Sequence, residues 1–277
     1  MRTVDARRVT SMTDATPYAL AQEAATALAR ITGVEHHDIA LVLGSGWLPA
    51  VDALGTATAE IDTTDLPGFK AAAVAGHSGK IRSVRAGEKN LLVFLSRTHY
   101  YESRDVAAVA HPVRTAAAAG CRAIVLTNGC GGLKPTWSPG TPVLISDHIN
   151  LTGTSPLVGA NFVDLTDLYS SRLRAKAREL DPSLDEGVYV QFPGPHYETP
   201  AEVRMAGIIG GHLVGMSTAL EAIAAREAGM EVLGLSLVTN LAAGISDSPL
   251  SHQEVIDAGR AAADRMGRLL AGLVPQL

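Results

Sequence analysis

Only two cysteines, Cys121 and Cys130, occur in the 277 residues, and their spacing fits neither a C-x-x-C redox pair nor a zinc motif. A disulfide framework is therefore excluded, and a reducing, cytoplasmic setting is the expectation. Apolar runs are short: Leu91-Leu92-Val93-Phe94-Leu95 falls far below the roughly 20 residues of a membrane span. The segment from Met1 to Thr16 carries Arg2, Arg7 and Arg8 with no apolar stretch behind them, so it reads as a loose tail rather than a secretion signal. Charge of one sign is not in excess either, since 23 basic and 28 acidic residues are scattered to a net charge of -5. No broad positive field exists to hold a nucleic-acid backbone, so neither nucleic acid nor membrane is expected as a partner. An H-E-x-x-H spacing is missing, His77, His99 and His111 have no carboxylates arranged beside them as a metal site, and no metal is expected. A G-x-S-x-G elbow is missing too, which leaves a serine hydrolase without support.

What is present is a chain with 47% hydrophobic residues, enough for one large core but small for two. A single domain over 17–277 is the expectation. A helix reads from Pro17 to Thr32, with Gly33 as its stop. Apolar runs Ile39 to Leu43, Ile81 to Val84, Leu91 to Ser96, Ala123 to Thr127, Pro142 to Ser146, Val188 to Gln191 and Val232 to Val238 read as strands. The turn Gly87-Glu88-Lys89-Asn90 joins two of them. Helices read from an Asp105 N-cap to about Gly120, and near Leu168 to Leu180, Pro200 to Ile209, Ala219 to Ala228 and His252 to Leu273. This alternation predicts an α/β fold, a central mixed β-sheet flanked by helices.

In such folds ligands gather beyond the carboxyl ends of strands. Polar or glycine-rich clusters stand there repeatedly: Gly44-Ser45-Gly46, Arg97 to Tyr101, Asn128 to Gly132, and Thr239-Asn240. Glycines 44 and 46 let backbone N–H groups approach an anion, and the Ser45 hydroxyl adds a donor. Those residues alone fit a plain strand-to-helix turn equally well, as does the second glycine cluster. The loop is no Walker or dinucleotide fingerprint, because no Gly-Lys-Ser/Thr follows and Pro49 occupies the last glycine's place. Arg97 offers a planar fork and His99 a directional donor to a phosphate. Ser217 or Thr218, with Glu221 beyond, reads as a helix N-cap, which is compatible with a phosphate contact.

In combination these clusters resemble the purine nucleoside phosphorylase family of the homotrimeric, 6-oxopurine-specific type. The resemblance runs in order from about Ile39 to Gly259. It is carried by Gly44-Ser45-Gly46, Gly76-His77-Ser78-Gly79, Arg97-Thr98-His99-Tyr100-Tyr101-Glu102, Thr127-Asn128 with its glycines, Gly194-Pro195-His196-Tyr197-Glu198-Thr199, Gly215-Met216-Ser217-Thr218, Thr239-Asn240 and His252-Gln253-Glu254. It implies phosphate bound by Ser45, Arg97, His99, the backbone at Gly129 and Ser217, with His77 nearby. Ribose would lie against Tyr101 and Met216, with its 5′-hydroxyl near His252. The purine would meet Tyr197, Glu198 and Asn240. The catalytic group would be Asn240, His99, Glu198 and His252. Inorganic phosphate would be a co-substrate, no cofactor would be needed, and the assembly would be a homotrimer in which Phe162 reaches the neighbouring site.

The chain departs from the family pattern in places. Tyr197 stands where relatives often carry phenylalanine, Gly129 and Cys130 where they often carry alanines, and Leu241-Ala242-Ala243-Gly244 differs from animal-type members. The sequence looks closer to bacterial ones. Other readings are a nucleoside-binding protein without turnover, a hydrolase using water, and the related methylthioadenosine phosphorylases. The last share the phosphate motifs but lack the Glu198 and Asn240 pair.

Overall fold

The computed structural model describes residues 16–71, 79–245 and 252–277, with 252–255 described by backbone only. The expected tail thus lies outside the described residues except for Thr16. That residue's hydroxyl accepts the Ala19 amide and caps the first helix, whose opening proline loses no hydrogen bond at that position. In chain order the elements are α1 (Pro17–Thr32), β1 (Ile39–Val42), β2 (Thr56–Asp62), β3 (Lys80–Ala86), β4 (Lys89–Phe94), α2 (Tyr100–Ser103), α3 (Val106–Ala118), β5 (Ala123–Gly132) and β6 (Pro142–Asn150). Then follow α4 (Ser171–Leu180), β7 (Asp185–Gln191), α5 (Pro200–Ile208), β8 (Leu213–Gly215), α6 (Ala219–Glu227), β9 (Glu231–Leu241) and α7 (His252–Leu273).

Among the described residues nine strands form one mixed sheet in the order β2-β3-β4-β1-β5-β8-β7-β6-β9. β9 pairs antiparallel with β6 and also parallel with β5, so the half from β5 to β9 closes into a ring. The expected helix-flanked mixed sheet is what forms, and the two-residue period of its strands explains its two larger cores. Ala40, Val42, Leu92, Phe94, Ile124 and Leu126 face α1, α3 and α6. Their neighbours Ile39, Leu41, Leu91, Val93 and Val125 face the other way, toward α4 and α7. The paired stretches Ile39–Val42, Leu91–Phe94 and 123–126 are apolar at every position because both faces are covered. Each fully buried leucine or valine contributes roughly 1.5–3 kcal/mol.

Several expectations shift. Asn128 to Gly132 is not a loop after a strand but the second half of β5, and Thr239-Asn240 lies inside β9. The two strands pair along this whole stretch, which supplies the hydrogen bonds a loop would lack, with a register shift between Cys130 and Gly131. Glycine suits this because the closing strands crowd it: a Cβ at Gly131 would stand 3.0 Å from Val214 Cγ2 and 3.2 Å from Ala242 Cβ. Helix α4 starts at Ser171, capped by the Ser170 hydroxyl, because Tyr169 is taken up by a bridge to Val232. β2, β8 and the short α2 were not foreseen.

Candidate active site

The carboxyl ends of β1, β4 and β5 converge with the β8–α6 turn and β9 on a cavity of about 340 Å³. Ser45, Arg97, His99, Tyr101, Gly129, Tyr197, Glu198, Met216, Ser217 and Asn240 all line it. Twelve positions were expected at the site, so ten of them converge. His77 lies outside the described residues, and so does the side chain of His252, whose backbone opens α7. Asn128, Cys130, Gly131, Pro195, Val214 and Thr239 also line the cavity and were not expected as contacts.

At the β1 end, Gly44 is squeezed between two partners: a Cβ there would stand 2.5 Å from both Arg97 Nη1 and the Thr127 carbonyl oxygen. Its amide donates to the Thr127 hydroxyl at 3.0 Å, and the Trp47 indole donates to the Asn128 carbonyl at 2.8 Å. The loop is thereby pinned to β5, with Ser45 facing the cavity. Gly259 of α7 rests on the same loop, since a Cβ there would come within 2.4 Å of Gly46 Cα.

Arg97 is 7% exposed. Its Nε donates to both Glu221 carboxylate oxygens at 3.1 Å, and its Nη1 donates to the Thr127 carbonyl at 2.6 Å. Its buried Nη2 has no partner among the described residues. An unpaired buried donor on a guanidinium costs free energy until an acceptor arrives, which fits an anion. His99 is the N-cap of α2. Its backbone N–H donates to Glu102 Oε1 at 2.7 Å, its ring Nδ1 lies 3.2 Å from the same oxygen, and it stacks on Tyr101 at 4.8 Å between centroids. Burial pushes the Tyr101 hydroxyl up to about 12, so it stays a neutral donor.

Ser217 is held by its neighbours. Thr218, the α6 N-cap, sits at φ 80°, a conformation costing a non-glycine residue about 1–3 kcal/mol. The structure holds it there in three ways: its amide donates to Glu221 at 2.8 Å, its hydroxyl accepts from Asn128 Nδ2 at 2.9 Å, and the Ser217 amide donates to the Tyr189 hydroxyl at 3.3 Å. Elsewhere in the cavity Glu198 keeps one carboxylate oxygen buried without a partner among the described residues, and burial raises its pKa above the ordinary carboxylate value. The Thr239 hydroxyl donates to Asn240 Oδ1 at 2.9 Å and Asn240 Nδ2 donates to the Leu241 carbonyl at 3.0 Å, so the amide orientation is set. One Nδ2 hydrogen remains for another acceptor.

Residues 38–275 match the model of the phosphorylase superfamily. Purine nucleoside phosphorylase of a Cellulomonas species is 62% identical over 262 residues, covering 93% of each chain. The enzyme of the same description from Mycobacterium tuberculosis is 58% identical over 93% of this chain and 96% of its own. The chain belongs to the purine nucleoside phosphorylases. It is a pentosyltransferase that cleaves the N-glycosidic bond of purine nucleosides with inorganic phosphate, giving free base and ribose 1-phosphate. The fold agrees: isoform 2 of the Schistosoma mansoni phosphorylase, solved with cytosine and ribose 1-phosphate, superposes with a TM-score of 0.86 at 30% identity, over 95% of this chain and 99% of that one. The mouse enzyme is 34% identical over 86% of this chain.

Among the described residues no group of three or more His, Cys, Asp or Glu is placed to hold a metal, and no helix is long and apolar enough to cross a membrane. Phe162 does not line its own chain's cavity and is 95% exposed. Glu221 was legible only as a helix cap. Its pairing with Arg97, 124 residues away, has no local signal.

Proposed function

We propose that the family reaction runs here on inosine- and guanosine-type nucleosides and their 2′-deoxy forms, with inversion at the anomeric carbon. Phosphate is held by Ser45, His77, Arg97, His99, the Gly129 backbone and Ser217. Ribose lies against Tyr101 and Met216 with its 5′-hydroxyl at His252, and the purine is read by Tyr197, Glu198 and Asn240. The observation that carries this reading is the pair of unpartnered buried groups in one cavity: a cationic donor, Arg97 Nη2, and an anionic acceptor, Glu198 Oε1. The first suits a phosphate. The second suits the N1–H of a 6-oxopurine, whereas adenine presents a lone pair at that position.

Loss of the base builds positive, oxocarbenium-like charge on the sugar. Phosphate bound below the ring stabilises that charge and then forms the new C–O bond as the C–N bond breaks, without a covalent enzyme intermediate. The remaining Asn240 Nδ2 hydrogen meets the negative charge that develops at purine N7. A donor set by Thr239 and Leu241 needs little reorganisation, which is what makes such a contact effective. No cofactor takes part in this scheme. The Schistosoma relative has been solved with adenosine as well as with inosine, and for this chain the discrimination proposed is one of turnover.

We further infer a cytoplasmic homotrimer in which Phe162 reaches the adjoining subunit's site. Its near-complete exposure supports this. Base release from inosine and from adenosine, each with and without phosphate, tests the substrate assignment. Phosphate-dependent ribose 1-phosphate from inosine but not from adenosine is expected. Efficient cleavage of adenosine would overturn the Glu198 reading, and free ribose formed without phosphate would overturn the phosphate site.

A further inference from the structure

We infer that Glu221 is a positioning residue for phosphate, acting through Arg97 and through the turn that presents Ser217; this rests on the reading of the cavity as a phosphate site. Glu221 does not line the cavity and is 3% exposed. It touches no substrate. Its two oxygens nevertheless hold two elements of the anion site at once, since both accept Arg97 Nε–H at 3.1 Å and Oε2 also accepts the Thr218 amide at 2.8 Å.

The consequence for Arg97 follows from its donor inventory. A guanidinium carries five N–H groups in a rigid plane. Here Glu221 takes the Nε–H and the Thr127 carbonyl accepts from Nη1. Two anchors on different atoms of one plane fix that plane. Nη2 is left as the unpaired group, and its place is set by Glu221 on one side and β5 on the other. Without the carboxylate, the guanidinium would turn about its long side chain to find another acceptor. The same loss would release the Thr218 amide and relax the left-handed turn that follows Ser217. A helix-capping role alone accounts for the Thr218 contact. It does not account for a buried arginine from the end of β4 directing its Nε–H between both carboxylate oxygens.

Steady-state kinetics on Glu221→Gln and Glu221→Asp test this. Glutamine keeps the shape but turns one acceptor into a donor facing Arg97 or Thr218. Aspartate keeps the charge but draws it back by one methylene. Either change should raise the KM for phosphate by roughly tenfold or more, the scale of a misplaced charge-assisted contact. The KM for inosine should move by less than about threefold, because the purine and ribose contacts are made by other residues. The exchange to glutamine is then repeated in an Arg97→Met background, where the part of its effect carried by Arg97 should vanish and only the smaller part carried by the Ser217 turn remain. Circular dichroism and thermal unfolding accompany each variant, and the aspartate variant gives the same readout if the glutamine variant does not fold. A parallel rise in both KM values, no rise in either, or an effect that persists undiminished without Arg97 would reduce Glu221 to a structural cap. A phosphate KM that is unaltered in Arg97→Met itself would instead overturn the phosphate reading on which the inference rests.

Discussion

Exchange of Glu198 for glutamine is expected to make the protein more stable and a poorer inosine phosphorylase at once. In the free protein the carboxylate is buried with one oxygen unpaired, and burial raises its pKa. A buried polar group without a partner costs about 1–3 kcal/mol, and more when charged. Relieving it should raise the Tm by roughly 2–4 °C for each kcal/mol recovered in a chain of this size. The sign with pH follows from linkage. Because the folded pKa lies above the unfolded one, both states are protonated in acid and the parent bears no penalty there. The penalty appears as pH rises through the raised folded value. The Tm gap between variant and parent should therefore be absent in acid and open toward neutral pH.

The purine N1–H then loses a charged acceptor and gains a neutral one. Hydrogen bonds to charged groups contribute about 1.5–3 kcal/mol and neutral ones about 0.5–1.5, so kcat/KM for inosine should fall roughly tenfold. Adenosine should gain, because the new amide can donate to the adenine N1 lone pair. Initial rates on both nucleosides at saturating phosphate, together with thermal scans across pH, measure all three effects. Unchanged rates on both nucleosides would refute the base-reading role. A variant less stable than the parent at neutral pH would refute the unpaired-carboxylate argument.

Asn240→Ala should lower turnover on inosine by about 10²–10³, the cost of one preorganised donor to developing charge, while the phosphate KM stays within about twofold; progress curves at varied phosphate separate the two. Gly44→Ala forces a methyl against Arg97 and Thr127; overpacking of this kind costs about 1–3 kcal/mol, read as a lower urea midpoint, and phosphate binding should weaken with it. His37 is buried against Ser83, and burial lowers its pKa from 6.5 to about 4. The unfolded chain therefore takes up the proton first, and stability should fall by about 3 kcal/mol as pH drops from 6.5 to 4. Urea titrations of the parent and of His37→Leu check this, with a flatter profile expected in the variant.

The sequence made most of the cavity legible because its residues lie in short local runs at strand ends. Arg97, His99 and Tyr101 share one such run, Tyr197 and Glu198 another, and Met216 and Ser217 a third. Strands covered on both faces, such as β1 and β4, were equally plain. The strand character of Gly129 to Gly132 was hidden, because glycine carries a turn signal and only the approach of β9 and β8 makes it a strand. β2 was missed because it lies at the sheet's edge with most of its residues exposed: Ala57, Ala59 and Ile61 do alternate with polar residues, but two of the three are alanines and only Ile61 is buried, so the apolar signal is weak. The Arg97–Glu221 pair joins segments that only the folded sheet brings together. A capping motif at Thr218 could point to Glu221 but not to its second partner.

Where Gly259 of α7 lies on Gly46, main chain meets main chain. Side-chain contacts can be retuned by a change of rotamer, but two bare backbones have no rotamer to change. Helix α7 is therefore keyed in register to the loop bearing Ser45. One residue added or removed within the helix ahead of Gly259 would turn it by about 100° and bring a neighbour with a side chain, Ala258 or Arg260, to the place where only hydrogen fits. The helix cannot ratchet along its own axis without driving a side chain into Gly46.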